Sequence, residues 1–96
     1  MIIAIASDGK DKGSLVSDQP GRAPYFQLVD NGEVVEVVSN PFAIGGGGAG
    51  LAVARMLHQK KVGEVVAGQI GGNMAEALDE LGIKYRMAQG KVEDCI

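Results

Sequence analysis

The chain predicts an α/β domain built on a mixed sheet of about five strands, and three observations carry that expectation. Asn31-Gly32 lies between two β-rich runs, the strongest short-range signal for a hairpin, because both residues accept positive φ. Two later segments each pass from an apolar strand through a glycine-bearing loop into a helical stripe. Ile2 to Ala6 is continuously apolar, which suits a strand covered on both faces near the middle of a sheet.

Ninety-six residues suit a single domain over 1–96 with one modest core. Apolar residues at 46% and charged residues at 22% are globular values rather than those of a disordered chain. A net charge of -3 argues against a general binder of nucleic acid or anionic membrane. Cys95 is the single cysteine, so an internal disulfide and a cysteine-rich metal cage are both excluded. The apolar start lacks a basic leader, and no run reaches transmembrane length. A cytoplasmic location is the expectation.

Ile2–Ala6 ends at Ser7-Asp8-Gly9, and the polar stretch to Gln19 reads as a loop. Pro20 to Pro24 is a turn cluster leading into the hairpin of 25–30 and 33–38. Asn40-Pro41 closes the hairpin, and Gly45 to Gly50 forms a strand-to-helix loop. The first helix is expected from about Gly48 or Ala49 to Lys60, with Gly50, Val53, Ala54 and Leu57 on its inner arc. A short buried strand over 63–68 follows, then the second glycine loop, Gln69 to Gly72. Asn73 reads as a helix cap with Glu76 at the third helical position, and Gly82 as the stop. Ile83 to Met87 alternates like a half-exposed strand, and the last five residues allow one helical turn. The order is β-β-β-α-β-α-β. Both glycine loops then fall at strand C-terminal ends, the usual ligand edge of such sheets.

Familiar chemistry fails on inspection. Gly45, Gly47 and Gly50 fit a dinucleotide fingerprint, yet no acid closes the next strand, which runs Ala67-Gly68-Gln69. Leu51 stands where a phosphate loop needs lysine. His58 and Cys95 form no recognisable nucleophile pair. Asp8, Asp11 and Asp18 read as solvated loop carboxylates, with Asp8 and Asp30 the other pair open for nuclease-like chemistry. A mobile hinge without a ligand accounts for the glycine run as well as an anion cradle does.

Four stretches carry a resemblance: Gly21-Arg22-Ala23-Pro24-Tyr25-Phe26, Asn40-Pro41, Gly48-Ala49-Gly50 and Gly68-Gln69-Ile70-Gly71-Gly72-Asn73. In that order and spacing the chain resembles the dinitrogenase iron–molybdenum cofactor biosynthesis family over nearly its whole length. Gly82-Ile83 and Gly90-Lys91-Val92-Glu93 complete the pattern. The resemblance implies a ribonuclease H-like three-layer fold. It also implies a link to nitrogen fixation, through accessory proteins that carry metal–sulfur cluster precursors. Many relatives read Ser-x-His-Phe where this chain has Ser17-Asp18-Gln19-Pro20, so the imidazole of that pattern is missing.

The resulting expectation is a small non-enzymatic protein that binds or carries an anionic metal–sulfur cluster without a covalent link. The cluster is iron–sulfur, iron–molybdenum or molybdenum–copper sulfide. Its site is assigned to Arg22, Gly46, Gly47, Gly48, Ala49, Gly71, Gly72 and Asn73, with no direct metal ligand and no catalytic residue. Two alternatives stand beside it. One is an interaction module that takes a protein partner or a second copy through an exposed strand edge, with no cofactor. The other is a divalent-metal hydrolase using the loop aspartates.

Overall fold

The computed structural model describes residues 1–44 and 49–96. Five strands form one sheet: β1 (Ile2–Ser7), β2 (Tyr25–Asp30), β3 (Glu33–Ser39), β4 (Val62–Ala67) and β5 (Lys84–Met87). Two helices, α1 (Ala49–Gln59) and α2 (Gly72–Glu80), connect β3 to β4 and β4 to β5. The spatial order is β3-β2-β1-β4-β5. β1 pairs antiparallel with β2 and parallel with β4, β2 pairs antiparallel with β3, and β4 pairs parallel with β5. Only β2 therefore runs against the others. The C-terminal ends of β1, β3, β4 and β5 share one edge, and both helices begin there.

Local chemistry explains these elements. Asn31 and Gly32 adopt φ of 53 and 79, the left-handed pair that a tight hairpin turn requires. The inner arc expected for α1 is the buried one: Val53, Ala54 and Leu57 face the core. α2 ends as a Schellman motif, in which Ile83 N–H donates to Leu78 O at 2.9 Å and Gly82 N–H to Asp79 O at 3.1 Å. Gly82, at φ 72, supplies the left-handed residue.

Alternation along the strands divides the core in two. Ala4, Ala6, Phe26, Leu28, Val65 and Ala67 project to the side that α1 and α2 cover. Ile5, Val29 and Val66 project to the other side, where Val16 and Val92 seal them. That opposite layer comes from the loop after β1 and from the terminal 3-10 turn, Val92–Cys95. This arrangement fits the expected three-layer fold.

Two expectations need correction. Asn73 does not cap α2, because the helix begins two residues earlier than expected and Gly71 occupies the cap position with no side-chain bond. Asn73 is thus the second helical residue. β5 is not half-buried: all four of its residues are exposed, and of that segment only Ile83, just before it, is buried. It lies at the sheet edge, where α2 approaches it without burying its side chains.

Candidate functional site

The starts of α1 and α2 meet over the strand edge with very little space between them. A Cβ added at Gly50 would stand 3.4 Å from both Cα and Cβ of Met74, so α1 crosses α2 almost backbone to backbone. One added at Gly21 would stand 3.5 Å from the Gly50 nitrogen, which places the short 3-10 turn Pro20–Arg22 against the same point. Both are ordinary contact distances, so the three segments are close-packed at this point without requiring glycine at 21 or 50. A cavity of about 410 Å³ opens above it.

Three walls line the cavity. Asp18, Gln19 and Arg22 come from the segment after β1, Ala49 and Gly50 from α1, and Gln69, Gly71, Gly72 and Asn73 from the α2 entry. The structure therefore brings together Arg22, Ala49, Gly71, Gly72 and Asn73, five of the eight residues assigned from sequence. Gly46, Gly47 and Gly48 lie outside the described residues.

Hydrogen bonds fix the first wall. Ser17 N–H donates to Ala6 O at 2.8 Å, while Gly68 N–H donates to Ser17 O at 2.8 Å and Gln69 N–H to Asp18 O at 3.1 Å. The segment is thus laid across the ends of β1 and β4. Asp18 packs so closely on Gly68 that a Cβ there would collide with its carboxylate. Asn40 holds the 3-10 turn from the other side: its Nδ2 donates to Gly21 O at 3.2 Å and to Ala23 O at 2.9 Å. Its Oδ1 accepts from Phe42 N–H at 2.9 Å, and the residue is 7% exposed. Asn40 thereby positions Arg22. From sequence, Asn40-Pro41 reads as a strand end and as part of the resemblance, and neither reading gives Asn40 this part; a polar residue beside proline at a strand end was the available signal.

The α2 entry offers donors. Ala75 N–H makes the first helical bond, to Gly71 O at 2.9 Å. The preceding N–H groups of Gly72, Asn73 and Met74 have no acceptor among the described residues. Gly71 and Gly72 would accept a Cβ with nothing within 4 Å, so space lies open beside them. The dipole of α2 adds positive potential at the same spot. Of the ionisable groups in the lining, Arg22 is cationic and Asp18 anionic, which leaves the walls neutral in formal charge. What the walls offer an anion is directed N–H groups more than net charge.

The remaining candidates lie elsewhere. His58 is exposed in the last turn of α1, about 13 Å along the helix axis from Ala49. Cys95 is half-buried in the terminal turn, packed against the layer opposite the helices. Asp8 follows β1 and Asp30 ends β2, six register steps away, or roughly 20 Å, so the two carboxylates form no pair. Among the described residues no group of three or more His, Cys, Asp or Glu could hold a metal ion. No helix among them is long and apolar enough to cross a membrane.

Fold and site define a small α/β protein with a donor-lined cavity at the strand edge where its two helices start. The chain belongs to the dinitrogenase iron–molybdenum cofactor family, whose model matches residues 1–96. Solved structures agree. The apo form of the orange protein from Desulfovibrio gigas superposes with a TM-score of 0.89 at 28% identity, over 98% of this chain and 82% of that one. A NifB-like protein from Thermotoga reaches 0.80 at 40% identity, over 97% and 81%. The crystal structure of PH0822 reaches 0.83 at 27% identity, over 99% and 86%. No curated protein sequence matches the chain.

Proposed function

We propose that this protein is a non-enzymatic carrier for a preformed anionic metal–sulfur cluster, held without covalent bonds in the cavity between Arg22 and the start of α2. One observation carries the reading: open first-turn N–H groups, a helix dipole and an arginine converge on one cavity in a chain of this family. The donor set fits such a cargo. A cluster that brings its own sulfide ligands asks the protein for hydrogen-bond donors and a counter-charge rather than thiolates. Iron–sulfur, iron–molybdenum and molybdenum–copper sulfide clusters all share that surface chemistry. Catalysis is not part of the proposal, and a cytoplasmic setting, where such clusters meet accessory proteins, is.

Magnitudes set what the site must supply. A helix N-terminus contributes about 0.3–1 kcal/mol per charge, up to about 2 in sheltered geometry. Charge-assisted hydrogen bonds contribute about 1.5–3 kcal/mol each. Three amides and Arg22 together reach the roughly 8 kcal/mol of micromolar binding. The test is titration with tetrathiomolybdate, with circular dichroism to confirm folding. Arg22→Ala is expected to weaken binding by roughly 10- to 100-fold. Gly72→Val, whose branched side chain enters open space beside the donors, is expected to weaken it while the helix content stays unchanged. Equal affinity in all three folded proteins refutes the cavity as the site. Iron and molybdenum analysis of protein isolated from its native host identifies the cargo.

A further inference from the structure

β5 breaks the rule that makes alternating strands readable. Its pattern, Lys84-Tyr85-Arg86-Met87, is that of a strand with one covered face, yet Tyr85 is 37% and Met87 67% exposed. Register fixes the sides. Tyr85 pairs with Val65 and Met87 with Ala67, both on the helix side, while Lys84 and Arg86 share the opposite side with Glu64 and Val66. Neither Tyr85 nor Met87 belongs to the helix-side core. The outer backbone is uncovered as well. Ala88 N–H donates inward to Ala67 O at 2.9 Å, so by parallel alternation the amides of Tyr85 and Met87 point outward. Outside the sheet ladder, no hydrogen bond ends on them among the described residues.

The geometry points to strand addition at β5 by a partner protein's extended segment that alternates acidic and apolar residues. Its backbone would pair with Tyr85 and Met87, its acids would lie opposite Lys84 and Arg86, and its apolar side chains would cover Tyr85 and Met87. Charge chooses this occupant over a second copy. Two β5 strands paired antiparallel about a twofold axis, with their helix layers on the same side, allow two central registers. One sets Lys84 opposite Arg86 of the second copy, and the other sets Arg86 opposite Arg86. Like charges directly opposite are destabilising in both. Among the described residues Arg86 already bonds Glu64 through Nε at 3.4 Å and Cys95 O through Nη2 at 3.4 Å, so Lys84 is the base that most needs the partner's acids. The other sheet edge is unsuited to the same partner. β3 carries Glu33 and Glu36 and is broken by a register shift opposite Leu28 and Val29. This inference does not depend on the cluster reading.

The test titrates the isotope-labelled protein with a capped octapeptide alternating Glu and Val and follows backbone amides by NMR. The expected result is saturable shifts centred on Tyr85 and Met87. Lys84→Ala is expected to weaken binding roughly threefold and Lys84→Glu roughly tenfold, with the spectrum of the free protein preserved elsewhere. An octapeptide alternating Lys and Val should not bind. A Glu–Val peptide N-methylated on alternate amides keeps its charge and should lose binding. Equal binding of the N-methylated peptide, or shifts centred on β3, overturns the proposal. So does a dimer in light scattering that Tyr85→Pro dissociates by removing an outward N–H, which would make the occupant a second copy.

Discussion

Asn40 satisfies three backbone groups at once, of which the Ala23 carbonyl is bonded in a buried setting and the other two in part-buried ones. A net hydrogen bond is worth about 0.5–1.5 kcal/mol, and stranding buried partners raises the cost. Asn40→Ala is therefore expected to destabilise the fold by about 2–4 kcal/mol, seen as a lower denaturation midpoint at constant m-value. A change under about 0.5 kcal/mol would mean that the 3-10 turn holds its place without Asn40. Asn73 gives the contrasting case. It is exposed, sits at the second helical position and makes no capping bond, so Asn73→Ala should shift stability by less than about 0.5 kcal/mol. Sequence placed Asn73 at the cap because Asn followed three residues later by Glu imitates a capping box. The true cap, Gly71, gives no such signal. Leaving the first turn uncapped keeps its amides open, which is where a binding site departs from the rules of a stable helix.

At the scale of elements, the hairpin, both helices and the order of all five strands were legible, because turn chemistry and periodicity are local. Asn31-Gly32 and Gly82 adopt the left-handed φ for which those residues were singled out. Gly82→Ala should cost about 1–2 kcal/mol, since alanine at φ 72 brings its Cβ against the backbone. Unchanged thermal stability would show that the end of α2 relaxes to another conformation without loss. What was not legible is coverage. Alternation in β5 tells which side chains share a face, but whether anything lies over that face depends on where α2 packs. That is a tertiary fact, and no window of sequence contains it. The layer opposite the helices is a similar case, since Val16 and Val92 reach it from a loop and a terminal turn without periodicity.

For the molecule as a whole, the balance of 9 basic against 12 acidic residues gives a field that repels the anion proposed for the cavity. That Ala49, Gly71, Gly72 and Asn73 share one strand edge was legible, because two glycine loops were expected there, but that Asp18 joins Arg22 in the same lining was not. Asp18 lines the cavity with Arg22 because the segment that carries it is laid across the ends of β1 and β4. Two consequences follow for tetrathiomolybdate binding. Removing the carboxylate while keeping its shape, in Asp18→Asn, should strengthen binding by about 1 kcal/mol, or roughly fivefold. Long-range repulsion should also make association faster as salt rises. Between 0.01 M and 0.15 M the Debye length contracts from about 30 Å to about 8 Å, which screens the distant acids but leaves contacts within the cavity largely intact. Stopped-flow mixing should therefore show the association rate constant rising, roughly threefold, across that range. In Asp18→Asn the rise should persist, because it comes from the whole surface rather than from one residue. A rate that falls with salt in both proteins would mean that the anion enters through a positive field, and the entry path would then have to lie away from the wall that carries Asp18.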